Sequence, residues 1–216
     1  DTVKPRKNPS LINLILSLLL PLVISTGADT QDRPVTIRAG LLIDGTGETR
    51  RNARIFIENG KITRIDGLRG AVTHDLSNLT VMPGWVDTHV HLTSHFDLDG
   101  RLHRAETKET QGQAMLYAVA NAYRTLMAGF TTVQSLGSPL DLDLRDWIER
   151  GELPGPRVLT SIRPVNAETG NVDMIRRFVQ QLSADGADVV KVFASASIRD
   201  GGNRVMSDPQ IKAACA

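Results

Sequence analysis

The chain has 216 residues, and its 25 lysines and arginines nearly cancel its 24 aspartates and glutamates. Such a balance provides no electrostatic footprint for nucleic acid or an anionic membrane, so neither is expected as a partner. The length suits one or two domains, and the single cysteine, Cys215, excludes an internal disulfide and reads as a small buried hydrophobe.

At the amino terminus, Lys4, Arg6 and Lys7 precede an apolar run from Leu11 to Ile24, and the small residues Ser25, Thr26, Gly27 and Ala28 follow. This is the three-part pattern of a secretory signal with cleavage after Ala28, so residues 1–28 read as a signal peptide and the protein as exported, periplasmic or secreted. The alternative is a membrane anchor, but the run is shorter than the ~20 residues needed to span and contains Pro21. No stable membrane span is expected after cleavage. The chain opens without Met and stops inside a predicted helix, so it is expected to be part of a longer reading frame.

Residues 29–81 read as a small all-β sandwich unit. Val35 to Ile37 and Leu41 to Ile43 are rich in β-formers, and Asp44-Gly45-Thr46-Gly47 is turn chemistry. Two further strands, Arg54 to Glu58 and Lys61 to Ile65, flank Asn59-Gly60, the strongest short hairpin signal.

The stretch Val81 to Leu92, VMPGWVDTHVHL, joins a Pro-Gly turn to an apolar, β-branched strand that ends in His89 and His91. Alternate residues of a strand share a face, so the two imidazoles point the same way. They are half of a metal site or two hydrogen-bonded surface histidines. Asp87 falls on the same face one layer deeper, where it either steers an imidazole or anchors backbone.

Beyond this strand the period becomes helical. Met115, Val119, Ala122 and Leu126 form a stripe that ends at Gly129, with Leu116, Tyr123 and Met127 beside it. Strand Phe130 to Leu136, helix Leu142 to Arg150, strand Arg157 to Ile162, helix Val172 to Ala184 and strand Asp188 to Ala194 follow, and Ser207 with Gln210 opens a last helix as a capping box. Alternating helices and near-continuous apolar strands imply a parallel sheet. Residues 82–216 are therefore expected to be the first half of a (β/α)8 TIM barrel, truncated at about the fourth strand, because a whole barrel takes roughly 250 residues. An open flavodoxin-like sheet is the structural alternative, weakened by the lack of a glycine-rich phosphate loop.

Functional groups of parallel α/β folds lie at the carboxyl ends of strands. Lys191, inside the apolar VVKVFAS, is expensive to bury as an ammonium. A buried neutral amine can react with CO2 to form a carbamate, a two-oxygen ligand able to bridge two metals. A lysine paired to an interior carboxylate is the other reading.

Taken together, the D-G-T-G turn, the N-G-K-I hairpin, PGWVDTHVHL, AGFTTVQSLG and GADVVKVFAS resemble the metal-dependent amidohydrolase superfamily. The resemblance is to the imidazolonepropionase-like branch that includes Xaa-Pro dipeptidases, and it runs from about Pro34 to the end. It implies that His89 and His91 ligate one of two divalent metal ions, zinc by default, and that Lys191, carboxylated by CO2, bridges them. A metal-activated hydroxide would then attack the carbonyl of an amide-type bond in a dipeptide or other small substrate. Family members add two further histidines and a proton-accepting Asp from later strands, with no counterpart here, so this chain alone is expected to be inactive. A deaminase or imidazolonepropionase-type ring hydrolase is the enzymatic alternative, and a degenerate, non-catalytic scaffold the other. A homo-oligomer is compatible with the sequence.

His95 and His103 lie in the polar loop after the His-x-His strand, a position suited to substrate contact or plain solvation. Arg163, Asn166 and Glu168, after the third strand, could read a substrate carboxylate or amine. Their loop departs from the glycine-histidine sequence of many relatives. Ser195 and Arg199 are weaker candidates, and His74 reads as surface.

Overall fold

The computed structural model describes residues 33–67, 69–96, 99–102 and 109–216. The signal-peptide reading of residues 1–28 and the candidate His103 lie outside them. The chain divides into two compact units, one ending at Val81 and the other beginning at Met82. No helix among the described residues is long and apolar enough to cross a membrane.

The first unit has β1 (Val35–Ile43), β2 (Thr49–Glu58), β3 (Lys61–Asp66) and β4 (His74–Val81), in the sheet order β3-β2-β1-β4. β1–β2 and β2–β3 are antiparallel, and β1–β4 is parallel. Asn59 and Gly60 have φ of 52° and 67°, the left-handed pair that a two-residue hairpin turn requires. The two short strands expected at Val35–Ile37 and Leu41–Ile43 are one nine-residue strand. Gly40 makes this possible: a Cβ there would collide with the Ser77 carbonyl of β4, and the β1–β4 register shifts at this point.

The described residues of this unit form a single four-stranded sheet, which is one layer of the expected sandwich. Alternation accounts for it. Ala39, Leu42, Ala53 and Ile55 make the one apolar cluster, whereas the opposite side of β2 carries the Arg54–Asp66 ion pair at 3.1 Å and Phe56 beneath Arg64.

The second unit is a mixed α/β structure. A parallel sheet of order β5-β6-β7 comprises β5 (Trp85–Val90), β6 (Phe130–Ser135) and β7 (Arg157–Thr160). The helices are α1 (Gln111–Met127), α2 (Leu140–Glu149), α3 (Val172–Ala184) and α4 (Asp208–Cys215). Thr110 with Gln113 and Ser207 with Gln210 form capping boxes for α1 and α4. Ala118 and Ala122, one helical turn apart, are fully buried with Val133, Leu144 and Val158. Their small side chains let α1 approach β6. Leu116, Tyr123 and Met127, beside the expected stripe, are exposed. A second core joins Ile162, Val165, Ile175, Leu182 and Met206 to Ala213 and Ala214 of α4. Cys215 is exposed, contrary to the buried role expected for it; the helix turns the alanine pair inward instead.

The expected fourth strand, Asp188 to Ala194, is not a regular strand. The Asp188 and Val189 N–H groups donate to Thr160 O at 2.8 and 3.3 Å, and a parallel bridge joins Val165 to Val192. The interruption has a local cause. β7 stops at Thr160, and Ile162 takes φ of 56°, rare for a β-branched residue, so the pairing line breaks and resumes only at Val165.

Candidate metal centre

β5 delivers both histidines to its carboxyl end, His89 within the strand and His91 one residue past it. Their rings lie 5.4 Å apart between centroids at 63°. Lys191 Nζ comes within 3.4 Å of His89 Nε2, bringing together two residues 102 positions apart in the chain, with His91 beside them. Partial burial first, then the positive charges of His89 and Lys191, hold the His91 imidazole below its usual pKa and favour its neutral, lone-pair-bearing form. Lys191 is half-buried, not enclosed as the apolar run suggested, with Phe193 beside its amine at 5.1 Å.

Asp87 is half-buried, and its Oδ1 accepts the His89 backbone N–H at 3.0 Å. Of the two roles weighed for it, the structure displays the backbone anchor. The chain leaving β5 is held further on: Asn121 of α1 donates to Leu92 O and Ser94 O, both at 2.9 Å, and the Leu92 N–H donates to Ser135 Oγ at 3.2 Å.

The other candidates are engaged elsewhere. His95 is 7% exposed, stacks on Tyr117 with centroids 3.8 Å apart, and has Thr93 O and Glu109 Oε1 at its two ring nitrogens. It borders a cavity of about 400 Å³ with Phe96 and Asn121. Arg163 lies 3.8 Å from Asp185 and over the Phe178 ring. Asn166 caps a 3₁₀ turn (Ala167–Thr169), its Oδ1 accepting the Thr169 N–H at 3.0 Å, and Glu168 lies within that turn. Ser195 bridges to Arg204, Arg199 follows the Ser197 cap of a second 3₁₀ turn, and His74 is exposed at the start of β4.

One polar cluster was not anticipated. Ser135, Asp141, Thr160 and Ser161, at the carboxyl ends of β6 and β7 and the start of α2, are at most 1% exposed. Burial pushes the Asp141 carboxyl up to about 6, against hydrogen bonds from Ser135, the Ser138 backbone and Thr160. The available signal was a hydroxyl residue closing each apolar strand. An Asp in a helix's first turn ordinarily reads as a solvated partner of the helix dipole.

Among the described residues, no group of three or more His, Cys, Asp or Glu converges on a point. The site is instead two imidazoles and an amine. This donor set fits a transition metal: the imidazoles supply nitrogen ligands, and the amine can be converted to a carboxylate-type ligand.

A parallel α/β sheet with a His-x-His pair at a strand end and a lysine meeting it belongs to the class of α/β scaffolds that carry their functional groups at the carboxyl ends of strands. Within that class, the amidohydrolase family model matches residues 80–215, and the chain belongs to the amidohydrolase family. It is 34% identical over 67 residues to a D-aminoacylase from Alcaligenes xylosoxydans xylosoxydans, covering 30% of this chain and 14% of that enzyme. A Xaa-Pro dipeptidase crystallised with methionine in its active site superposes with a TM-score of 0.74 at 25% identity, over 85% of this chain and 53% of its own. A prolidase complexed with N-methylphosphonate-L-proline gives a TM-score of 0.71 at 19% identity, over 84% and 52%, a likeness of fold. The chain thus spans about half the length of these solved relatives.

Proposed function

We propose that this chain carries the first ligands of a binuclear metal centre in a (β/α)8 barrel, and that the protein is an exported hydrolase of an amide-type C–N bond in a small peptide or cyclic amide. The observation that carries the reading is the meeting of His89, His91 and Lys191 at the carboxyl side of a parallel sheet. In this reading β5, β6, β7 and the 188–194 stretch are the first four of eight strands. The D-aminoacylase and Xaa-Pro dipeptidase among the relatives support a C–N bond beside a carbonyl as the target. The leader-like residues 1–28 support export.

Bound divalent metal, zinc in this proposal, supplies Lewis-acid polarisation of the scissile carbonyl and a water of lowered pKa. The chain's own groups prepare the place. His91, held neutral, and His89 offer ring nitrogens, and Asp87 fixes the strand that presents them. Lys191 as an ammonium would repel a cation from the pair. As a neutral amine it attacks CO2: a C–N bond forms, one N–H proton leaves to solvent, and the carbamate presents two anionic oxygens. The sign of the charge beside the histidines is thereby reversed, which favours cation binding. A one-metal deaminase or ring hydrolase has no need of this lysine, so the 3.4 Å contact favours the two-metal reading.

The test is equilibrium dialysis of the chain against zinc, with and without bicarbonate, together with ¹³C NMR in ¹³C-bicarbonate. Bicarbonate should increase bound zinc, and a carbamate resonance should be present in the wild type and absent in Lys191→Ala. A wild-type chain that binds no more zinc than His89→Ala/His91→Ala would overturn the proposal.

A further inference from the structure

The buried carboxyl of Asp141 lies outside the proposed ligand set, yet two hydrogen-bonded chains converge on it from the strand exits that carry that set. In one, the Leu92 N–H donates to Ser135 Oγ at 3.2 Å, which leaves the Ser135 hydroxyl proton free to donate onward to Asp141. Leu92 directly follows His91. In the other, the Ile162 N–H donates to Thr160 Oγ1 at 2.9 Å, and that hydroxyl donates to Asp141 Oδ2 at 3.5 Å. Thr160 O in turn receives the Asp188 and Val189 N–H groups, at the head of the stretch that carries Lys191.

The direction of both chains is fixed by chemistry. A backbone N–H can only donate, so each hydroxyl that accepts it must pass its own proton on, and a carboxylate is an acceptor-only terminus. An apolar residue at position 141 would leave both chains without an acceptor. Asp141 Oδ1 and Ser161 Oγ are buried without a protein partner, so the carboxyl is not simply satisfied by its surroundings. Burying such a group is costly.

We propose that Asp141 is a positioning residue that ties the exits of β5 and β7 together through Ser135 and Thr160, and so sets the His91 arm against the Lys191 arm of the site. The consequence for metal binding rests on the proposed function above; the tether itself does not. Asp141→Leu nearly preserves shape and removes the charge that burial disfavours, so the fold should remain intact while the chains lose their common acceptor.

Amide hydrogen exchange of the full chain by NMR, paired with zinc affinity by equilibrium dialysis, tests this. Asp141→Leu should speed exchange at both Leu92 and Ile162, Ser135→Ala at Leu92 alone, and Thr160→Val at Ile162 alone, with Val133 unchanged as an internal control. Zinc affinity should fall about tenfold in Asp141→Leu and in Ser135→Ala, the scale of lost groups that orient metal ligands. Their double variant should be no weaker than either single, as members of one chain are non-additive. Wild-type exchange at Leu92 and Ile162 in Asp141→Leu would overturn the tether. Exchange that responds as expected without any change in zinc affinity would overturn the positioning role. If the wild type bound no zinc, the proposed function would fail, and with it the positioning role, while exchange alone would still decide the tether. Should Asp141→Leu fail to fold, Ser135→Ala and Thr160→Val, each losing one hydroxyl, carry the same site-specific outcomes.

Discussion

His89 and His91 meet Lys191 near solvent, whereas Ser135, Asp141, Thr160 and Ser161 meet where solvent does not reach, on the same side of the same sheet. The first group is cationic or neutral and turned outward to whatever binds; the second is closed and carries one carboxyl. The contrast teaches that ligand-bearing side chains can be left open because neighbouring groups fix their backbones. Asp87 holds His89 N–H, Asn121 holds Leu92 O, and Ser135 holds Leu92 N–H. A flexible arm would lose entropy on each binding event, and a held one has already lost it.

The comparison can be broken first at the open group. His89→Ala/His91→Ala should lower zinc affinity by more than about a hundredfold, beyond the range of lost orienting groups, with little change in melting temperature because both rings are exposed. Dialysis and a thermal melt read the two effects separately.

At the closed group, the sharper measurement is stability against pH. Burial raises the folded Asp141 carboxyl from an ordinary 3.8 to about 6, so the native state binds a proton that the unfolded chain releases. The stabilising contribution is complete below 3.8 and lost as pH rises through about 6. Urea denaturation should show the wild type gaining roughly 2 kcal/mol relative to Asp141→Asn between pH 7 and pH 4. Parallel pH profiles for the two proteins would contradict the burial of a titrating carboxyl.

His95 provides a case between the two. Its ring is buried, stacked and bonded at both nitrogens. His95→Ala should cost about 1–3 kcal/mol, the price of stranding buried polar partners, and leave zinc affinity unchanged; a chain of full stability with weakened substrate binding would restore its candidacy as a substrate contact. The smallest effect is expected at Asn166, whose replacement by Ala removes a cap worth about 1 kcal/mol and should leave metal binding untouched in the same dialysis.

Much of the architecture was legible because it rests on local chemistry. Asn59-Gly60 specified its turn through left-handed dihedrals, Ser207 and Gln210 opened α4, and the stripe of α3 matched a period of 3.6. What was misread depended on distant partners. Leu126 stood in the expected stripe and Ala118 did not, and only the approach of α1 to β6 selected Ala118 and Ala122 for full burial. Lys191 sat in a strand-like sequence, but the break at Ile162 removed the neighbour a ladder needs.

The sequence by itself determined that His89 and His91 come to the same strand end, since one residue separates them and a strand turns alternate side chains the same way. It also determined the alternation of strand and helix that makes the sheet parallel. Only the tertiary structure decided that Lys191 reaches His89, that His95 turns inward, and that Asp141 lies beneath the strand exits. Spacing along the chain governs direction on one element, whereas burial and partnership arise between elements whose packing no single segment encodes.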